Sequence, residues 1–154
     1  MWAIDITYVP MKKGFLYLAA IIDLHSRFVI GWSLSNSMEA AWIVEMLEHA
    51  INKYGAPAII NSDQGSQFTS DEYITLLKGK GIQISMDGKG RATDNIFIER
   101  LWRSLKYEYV YLNPETDGLA LYHGLDKWFK FYNEERHHQT LDYQKPIDVY
   151  RRAA

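Results

Sequence analysis

Trp2-Ala3-Ile4-Asp5-Ile6-Thr7-Tyr8-Val9 is the stretch on which the reading of this chain turns. Trp2, Ile4, Ile6 and Tyr8 fall on one side of an extended backbone, and Ala3, Asp5, Thr7 and Val9 on the other. A period of two predicts a strand. Asp5 stands in the middle of it among apolar and β-branched neighbours. An ionised carboxylate is costly there unless it is paired or binds a cation.

Reading outward, Pro10-Met11-Lys12-Lys13-Gly14 is a turn, and the apolar run from Phe15 to Ile22 predicts a buried central strand. A turn at His25-Ser26-Arg27 leads to a third strand over Phe28 to Leu34, which completes an antiparallel meander. Asp23 and His25 are read as turn residues, not ligands. From Met38 to Tyr54 the period becomes helical, with Ile43, Val44, Leu47, Ala50 and Ile51 on one stripe, and Gly55-Ala56-Pro57 stops it. A short strand from Ala58 to Asn61 runs directly into Ser62-Asp63. Ser70 caps a helix to about Lys80, and Ile82 to Met86 is a fifth strand. After the loop Gly88-Lys89-Gly90, a long helix begins at Asp94 and reaches about Tyr109, with Asp94-Asn95 as its cap and Asn95 near enough to orient Glu99. A last helix covers residues 117–135, with Trp128, Phe129, Phe131 and Tyr132 as packing residues. An irregular tail is expected from Arg136. The order of elements predicts an α/β domain over residues 1–154, with helices on a mixed sheet.

Composition sets the outer limits. Hydrophobic residues are 47% of the 154, enough for a sizeable core, and 23% charged residues argue against a disordered class. The absence of cysteine removes disulfides and thiolate metal sites and suits a reducing cytosol. No apolar run approaches the ~20 residues of a membrane span, and the first residues lack a signal-peptide layout, so a cytoplasmic location is expected. A strand pattern that starts at the second residue reads as if an upstream domain had been removed or lost. The net charge of −2, taken alone, argues against a nucleic-acid partner; an acidic centre would itself subtract several units, so distribution matters more than the sum.

Asp63 falls just past a strand end, where ligand-binding groups gather in open α/β sheets. On the following long helix, Ile98, Leu101 and Leu105 form an apolar stripe, while Glu99, Arg103 and Lys106 recur at i, i+4 and i+7. A carboxylate and two cations on one helical face suit chemistry on a nucleic-acid backbone. Each residue alone has a plainer reading. Asp5 is then a strand-edge residue, Asp63 a turn former beside Gly65, and Glu99–Arg103 a solvated ion pair. Together, in this strand–strand–helix setting, the functional reading prevails.

Three motifs carry a family resemblance. They are Trp2-x-x-Asp5-Ile6-Thr7-Tyr8, Ser62-Asp63-Gln64-Gly65-Ser66-Gln67-Phe68, and Asp94-Asn95-x-x-x-Glu99, with 35 residues between Asp63 and Glu99. In these the chain resembles the retroviral-integrase superfamily, and within it the transposases of two-frame bacterial insertion sequences. Met86 to Arg91, Glu99 to Glu108, and the tail Phe131-Tyr132-Asn133 with Arg136, His138, Leu141, Tyr143 and Pro146 are similar to that subgroup. The resemblance implies an RNase H-like fold with a five-stranded mixed sheet flanked by helices. It implies a catalytic triad of Asp5, Asp63 and Glu99 holding two Mg2+ or Mn2+ ions, with Asp5 bridging. It further implies metal-dependent DNA cleavage and strand transfer, with DNA as partner and a homodimer or larger synaptic assembly. Arg103 and Lys106 match cationic positions of the catalytic helix that contact DNA, and Lys89 and Arg91 are read as further DNA contacts. Relatives carry DNA-recognition segments ahead of this domain. A hydrolytic nuclease of the same fold and a non-catalytic DNA-binding remnant are the alternative readings.

Overall fold

Pleated, half-buried surfaces favour β-branched and aromatic side chains, and the opening alternation does form a strand. The computed structural model describes residues 1–86 and 95–153. Strands β1 (Trp2–Pro10), β2 (Phe15–Asp23) and β3 (Val29–Ser35) form the meander, followed by α1 (Ala40–Tyr54), β4 (Ile59–Ser62), α2 (Asp71–Gly79) and β5 (Gln83–Met86). Helix α3 (Ile96–Leu105) continues into one π-helical turn, Lys106–Val110, and α4 (Gly118–Glu134) and α5 (Pro146–Ala153) complete the chain. The five strands lie in the order β3-β2-β1-β4-β5. β1, β2 and β3 pair antiparallel, while β1–β4 and β4–β5 pair parallel.

Side-chain parity divides the interior into two layers. Trp2, Ile4, Ala19 and Ile21 pack against α1 and α2 through residues such as Ile43, Leu47, Tyr73 and Leu77. Ala3, Leu18, Ala20 and Ile22 pack on the other face against α3 and α4, meeting Ile98, Leu101, Leu125 and Phe129. β2 is thus buried on both faces, which is why its sequence shows no alternation. Each fully buried aliphatic residue here contributes roughly 1.5–3 kcal/mol.

Local polar groups mark the ends of elements. Ser70 accepts the Tyr73 N–H at the start of α2, and Asp117 accepts the Ala120 N–H at 2.8 Å at the start of α4. Asp23 closes the β2–β3 turn by accepting from the Ser26 N–H at 2.9 Å and its hydroxyl at 2.6 Å. Asn133 on α4 accepts the Val29 N–H at 2.8 Å and donates its amide to the Val29 carbonyl at 3.1 Å, gripping the edge strand β3.

Two expectations are corrected. The segment after Arg136 is not irregular: Gln139–Leu141 form a 3-10 turn, and α5 follows with Pro146 opening it. Tyr150 of α5 stacks on Phe28 with ring centroids 4.7 Å apart and meets Tyr54 edge-on at 5.9 Å, so the tail is fastened by aromatic packing. On α4, Trp128, Phe129 and Tyr132 are buried, but Phe131 is 39% exposed, because the helical step turns it away from the apolar stripe.

The Tyr109 side chain crosses α4 at Gly124 and donates its hydroxyl to Glu115 at 2.8 Å. A Cβ at Gly124 would lie 1.7 Å from that hydroxyl and 2.4 Å from the ring carbon bearing it. Gly124→Ala is therefore expected to destabilise the fold by about 1–3 kcal/mol through overpacking, read as a lower urea midpoint. Adding Tyr109→Leu should recover part of the loss; an unchanged midpoint in the single variant would disprove the clash.

Candidate active site

The parallel register of β1 and β4 sets Ala3 opposite Asn61. Two residues further along both chains, with the same parity, come Asp5 and Asp63. Asp5 follows Ala3 onto the α3 face. Burial pushes its carboxyl up to about 6, the Trp102 indole and the Ile6 backbone pull it back, and the neighbouring Asp63 carboxylate raises it again. Trp102 donates its indole N–H to Asp5 Oδ2 at 3.1 Å, tying α3 to the middle of β1.

Asp63 is held by its own loop. Its Oδ1 accepts the Gly65 N–H at 2.8 Å, and a Cβ on Gly65 would lie 2.9 Å from that same oxygen. The loop is anchored by Phe68, which is 1% exposed and packs edge-on against Tyr73, and by Gln67, whose amide donates to the Met38 carbonyl at 3.0 Å. Beneath the carboxylates the buried Asn61 donates to Asn95 Oδ1 at 3.3 Å and accepts the Ser85 hydroxyl at 3.0 Å. One polar side chain thus links β4, β5 and the start of α3. This corrects the role expected of Asn95, whose side chain makes no cap to its helix and turns down to Asn61. Asp94, Lys89 and Arg91 lie outside the described residues.

Glu99 is exposed on α3, one turn before Trp102. The structure brings Asp5 and Asp63 together. Among the described residues, no three His, Asp or Glu side chains form a group able to hold a metal ion, so Glu99 stands beside the pair without joining it. The two cations expected on the Glu99 face separate. Lys106 turns over β1, donating to Thr7 Oγ1 at 2.9 Å above the Tyr8 ring, with centroid distance 5.2 Å. Its ammonium is pushed down by burial and pulled up by Asp5. Arg103 lies over the Tyr107 ring at 5.7 Å and lines a groove on the other flank of α3. Helical rotation sets the two on either side of Glu99, and different aromatic neighbours draw them apart.

The adjacent histidines of the tail also diverge. His138 is buried edge-on against Tyr132 and pushed down to about 4 by burial, whereas His137 Nδ1 meets the Tyr143 carbonyl at 2.6 Å. Trp102, Thr7 and Gly65 are the site residues that sequence reasoning missed. Trp102 follows the buried stripe as i+4 of Ile98, and Thr7 shares Asp5's parity, so both signals were present.

The donor set fits a hard divalent cation. Two carboxylates lie side by side, one in the middle of β1 and made costly by burial, the other just past the end of β4, with hydrogen-bond donors fixing part of each.

Known proteins resemble the chain in sequence and in fold. Residues 1–92 match the family model described as integrase core domain, and residues 80–146 match a second model of the same description. The chain is 38% identical over 151 residues to the transposase for insertion sequence element IS904 of Lactococcus lactis, covering 96% of this chain and 60% of that protein. It is 41% identical over 112 residues to transposase InsF for insertion sequence IS3A of Escherichia coli, covering 71% and 39%. The chain thus spans less than two thirds of the length of either relative. Among solved structures it resembles the HTLV-2 integrase catalytic core domain in complex with magnesium, with TM-score 0.75, 20% identity and 97% and 94% coverage. It also resembles the catalytic core domain of BIV integrase, with TM-score 0.78, 18% identity and 99% and 93% coverage. The fold is RNase H-like, as expected.

A pH dependence follows from Asp5. Its folded value of about 6 lies above the ordinary 3.8, so the protonated form is favoured by folding. That contribution, on the order of 2–3 kcal/mol, is complete below about pH 4 and is lost as pH rises through 6. Metal-free protein should lose melting temperature between pH 4 and 7, and Asp5→Asn should flatten the loss. Mg2+ should raise the melting temperature more at pH 8 than at pH 5, since binding requires the carboxylate. A melting profile identical in the wild type and Asp5→Asn would refute the assignment.

Proposed function

Because the chain belongs to the integrase core domain family, we propose that it is the catalytic domain of a DNA transposase, cutting and joining DNA strands at Asp5, Asp63 and Glu99. The observation that carries this reading is the pairing of the Asp5 and Asp63 carboxylates on one sheet face, against the helix that bears Glu99. Two like charges this close are unfavourable unless a cation or proton offsets them.

Asp5, Asp63 and Glu99 are the residues that would hold Mg2+ or Mn2+, with two ions per site. Bound there, the ions would supply Lewis acidity for an in-line displacement at phosphorus and activate the attacking hydroxyl. The chain's own residues do the rest. Trp102 fixes one oxygen of Asp5. Gly65 and its anchored loop fix Asp63, and Asn61 sets where α3 begins relative to β4. Lys106, steadied by Thr7, places an ammonium near Asp5 where a substrate phosphate needs neutralising. The attacking group is water in cleavage and a DNA 3′-hydroxyl in joining. DNA ends and target DNA are the substrates, and a homodimer or larger assembly holds two ends at once; the HTLV-2 integrase core relatives are described as dimeric and trimeric.

The deciding assay joins a labelled, pre-cleaved DNA 3′-end to target DNA. Wild type is expected to join in Mg2+ or Mn2+, and Asp5→Asn, Asp63→Asn and Glu99→Gln should each lose at least ~10³-fold while keeping their fold. Near wild-type joining by any one variant would overturn its role; cleavage without joining would reassign the domain as a hydrolytic nuclease. Gly65→Ala is a milder probe, expected to slow joining by roughly tenfold, because its Cβ would crowd Asp63.

A further inference from the structure

On the flank of α3 facing away from β1 lies a groove of about 390 Å3 between the catalytic helix and the C-terminal tail. Its lining includes Arg27, Arg100, Arg103 and Arg136, with Phe97 and Tyr143, and no carboxylate. The chain as a whole carries a net charge of −2, so this is a marked local reversal. Of the groove's arginines only Arg103 was read from the sequence as a DNA contact, because the four come from three distant segments: the β2–β3 turn, α3 and the tail.

Apart from Arg136, the arginines are not consumed by ion pairing among the described residues. Arg136 is engaged by Glu108 at 2.7 Å, which fixes the tail to the π-helical turn. Arg27, Arg100 and Arg103 have no carboxylate within salt-bridge distance among the described residues. Arg27 and Arg100 instead converge on one ring, Phe97, at 3.6 Å and 5.8 Å from its centroid. Arg27 is half-buried in a left-handed backbone at φ 64°, and its guanidinium donates to the Leu24 carbonyl, so it is held in position rather than left to solvent. Two like charges directed at one ring in a concave site repel each other, and a bound anion would relieve this. The fork of a guanidinium matches a phosphate. Tyr143, 66% exposed at the rim, offers a flat face of the kind on which an unpaired base stacks.

We propose that this groove is a second nucleic-acid subsite, in which Arg27, Arg100 and Arg103 hold backbone phosphates of an unpaired DNA segment whose base stacks on Tyr143. It rests on the reading of the domain as DNA-processing, and it places a contact surface on the side of Glu99 opposite Lys106. The groove's size, within the ~300–1,000 Å3 of small-ligand sites, suits about one nucleotide at a time.

The test is fluorescence anisotropy of the intact chain in EDTA, with a labelled single-stranded oligonucleotide, the matching duplex, and a poly-glutamate peptide as competitor. Arg100 is exposed, so Arg100→Glu should leave the melting temperature unchanged. It should weaken single-strand binding about three- to tenfold and lower the slope of log Kd against log salt by about 1. Tyr143→Ala should weaken binding of the single strand more than that of the duplex. Asp5→Asn should bind the single strand like wild type in EDTA while failing to join DNA ends, which separates this subsite from the catalytic reading. Unchanged affinity and salt slope in Arg100→Glu overturns the subsite even if joining persists. Displacement of the oligonucleotide by poly-glutamate at matched charge overturns the nucleic-acid assignment.

Discussion

Parallel pairing between β1 and β4 is the constraint on which the rest of the site depends. With Ala3 opposite Asn61, strand parity sends Asp5 and Asp63 to the same face at the same height. A slip of one residue would turn one carboxylate into the opposite layer, against α1 and α2. The register is itself protected by burial, since Trp2, Ala3, Ile4 and Ile60 are 5% exposed or less and cannot exchange faces without losing a core. Hydrophobic packing therefore enforces an electrostatic contact that would not form by itself. The surroundings then accommodate it through the Trp102 indole, the Gly65 amide and the Asn61 network.

Much of this was legible in the residues, and the exceptions have physical reasons. Periodicity found all the strands and α1, α2, α3 and α4 to within a few residues, because each element buries one regular stripe or face. Asp5 stood out because a charge in an apolar strand is a conflict needing explanation. What escaped was information carried by three-dimensional neighbours. α5 buries Pro146 at its start and packs Ile147 and Tyr150 on the core, too few for a periodic signal, and is held by Phe28 and Tyr54 from distant segments. Asn95 looked like a cap because Asn often is one, but a buried amide across the sheet offered a better partner. Helical spacing put Glu99, Arg103 and Lys106 together, and it could not foresee that Thr7 and Tyr8 would draw Lys106 one way and Tyr107 draw Arg103 the other.

α3 consequently separates two electrostatic regions. Toward β1 it faces the carboxylates, with Lys106 as a cation contributed from its end; toward the tail it faces the arginine groove. The net charge of −2, summed over 17 Lys and Arg and 19 Asp and Glu, conceals this local separation, which is why composition was silent about nucleic acid. A single π-helical turn follows immediately, and it shifts the residues after Lys106 so that Glu108 meets Arg136. The tail is thereby fixed as one wall of the groove.

The grip of Asn133 on Val29 bears on how such domains associate. β3 is an edge strand, and an open edge invites another chain to extend the sheet. By occupying both the N–H and the carbonyl of Val29, one amide side chain stops that ladder at its first rung. At that end of β3, backbone-templated growth, which is indifferent to sequence and has no natural end, finds its first rung already taken.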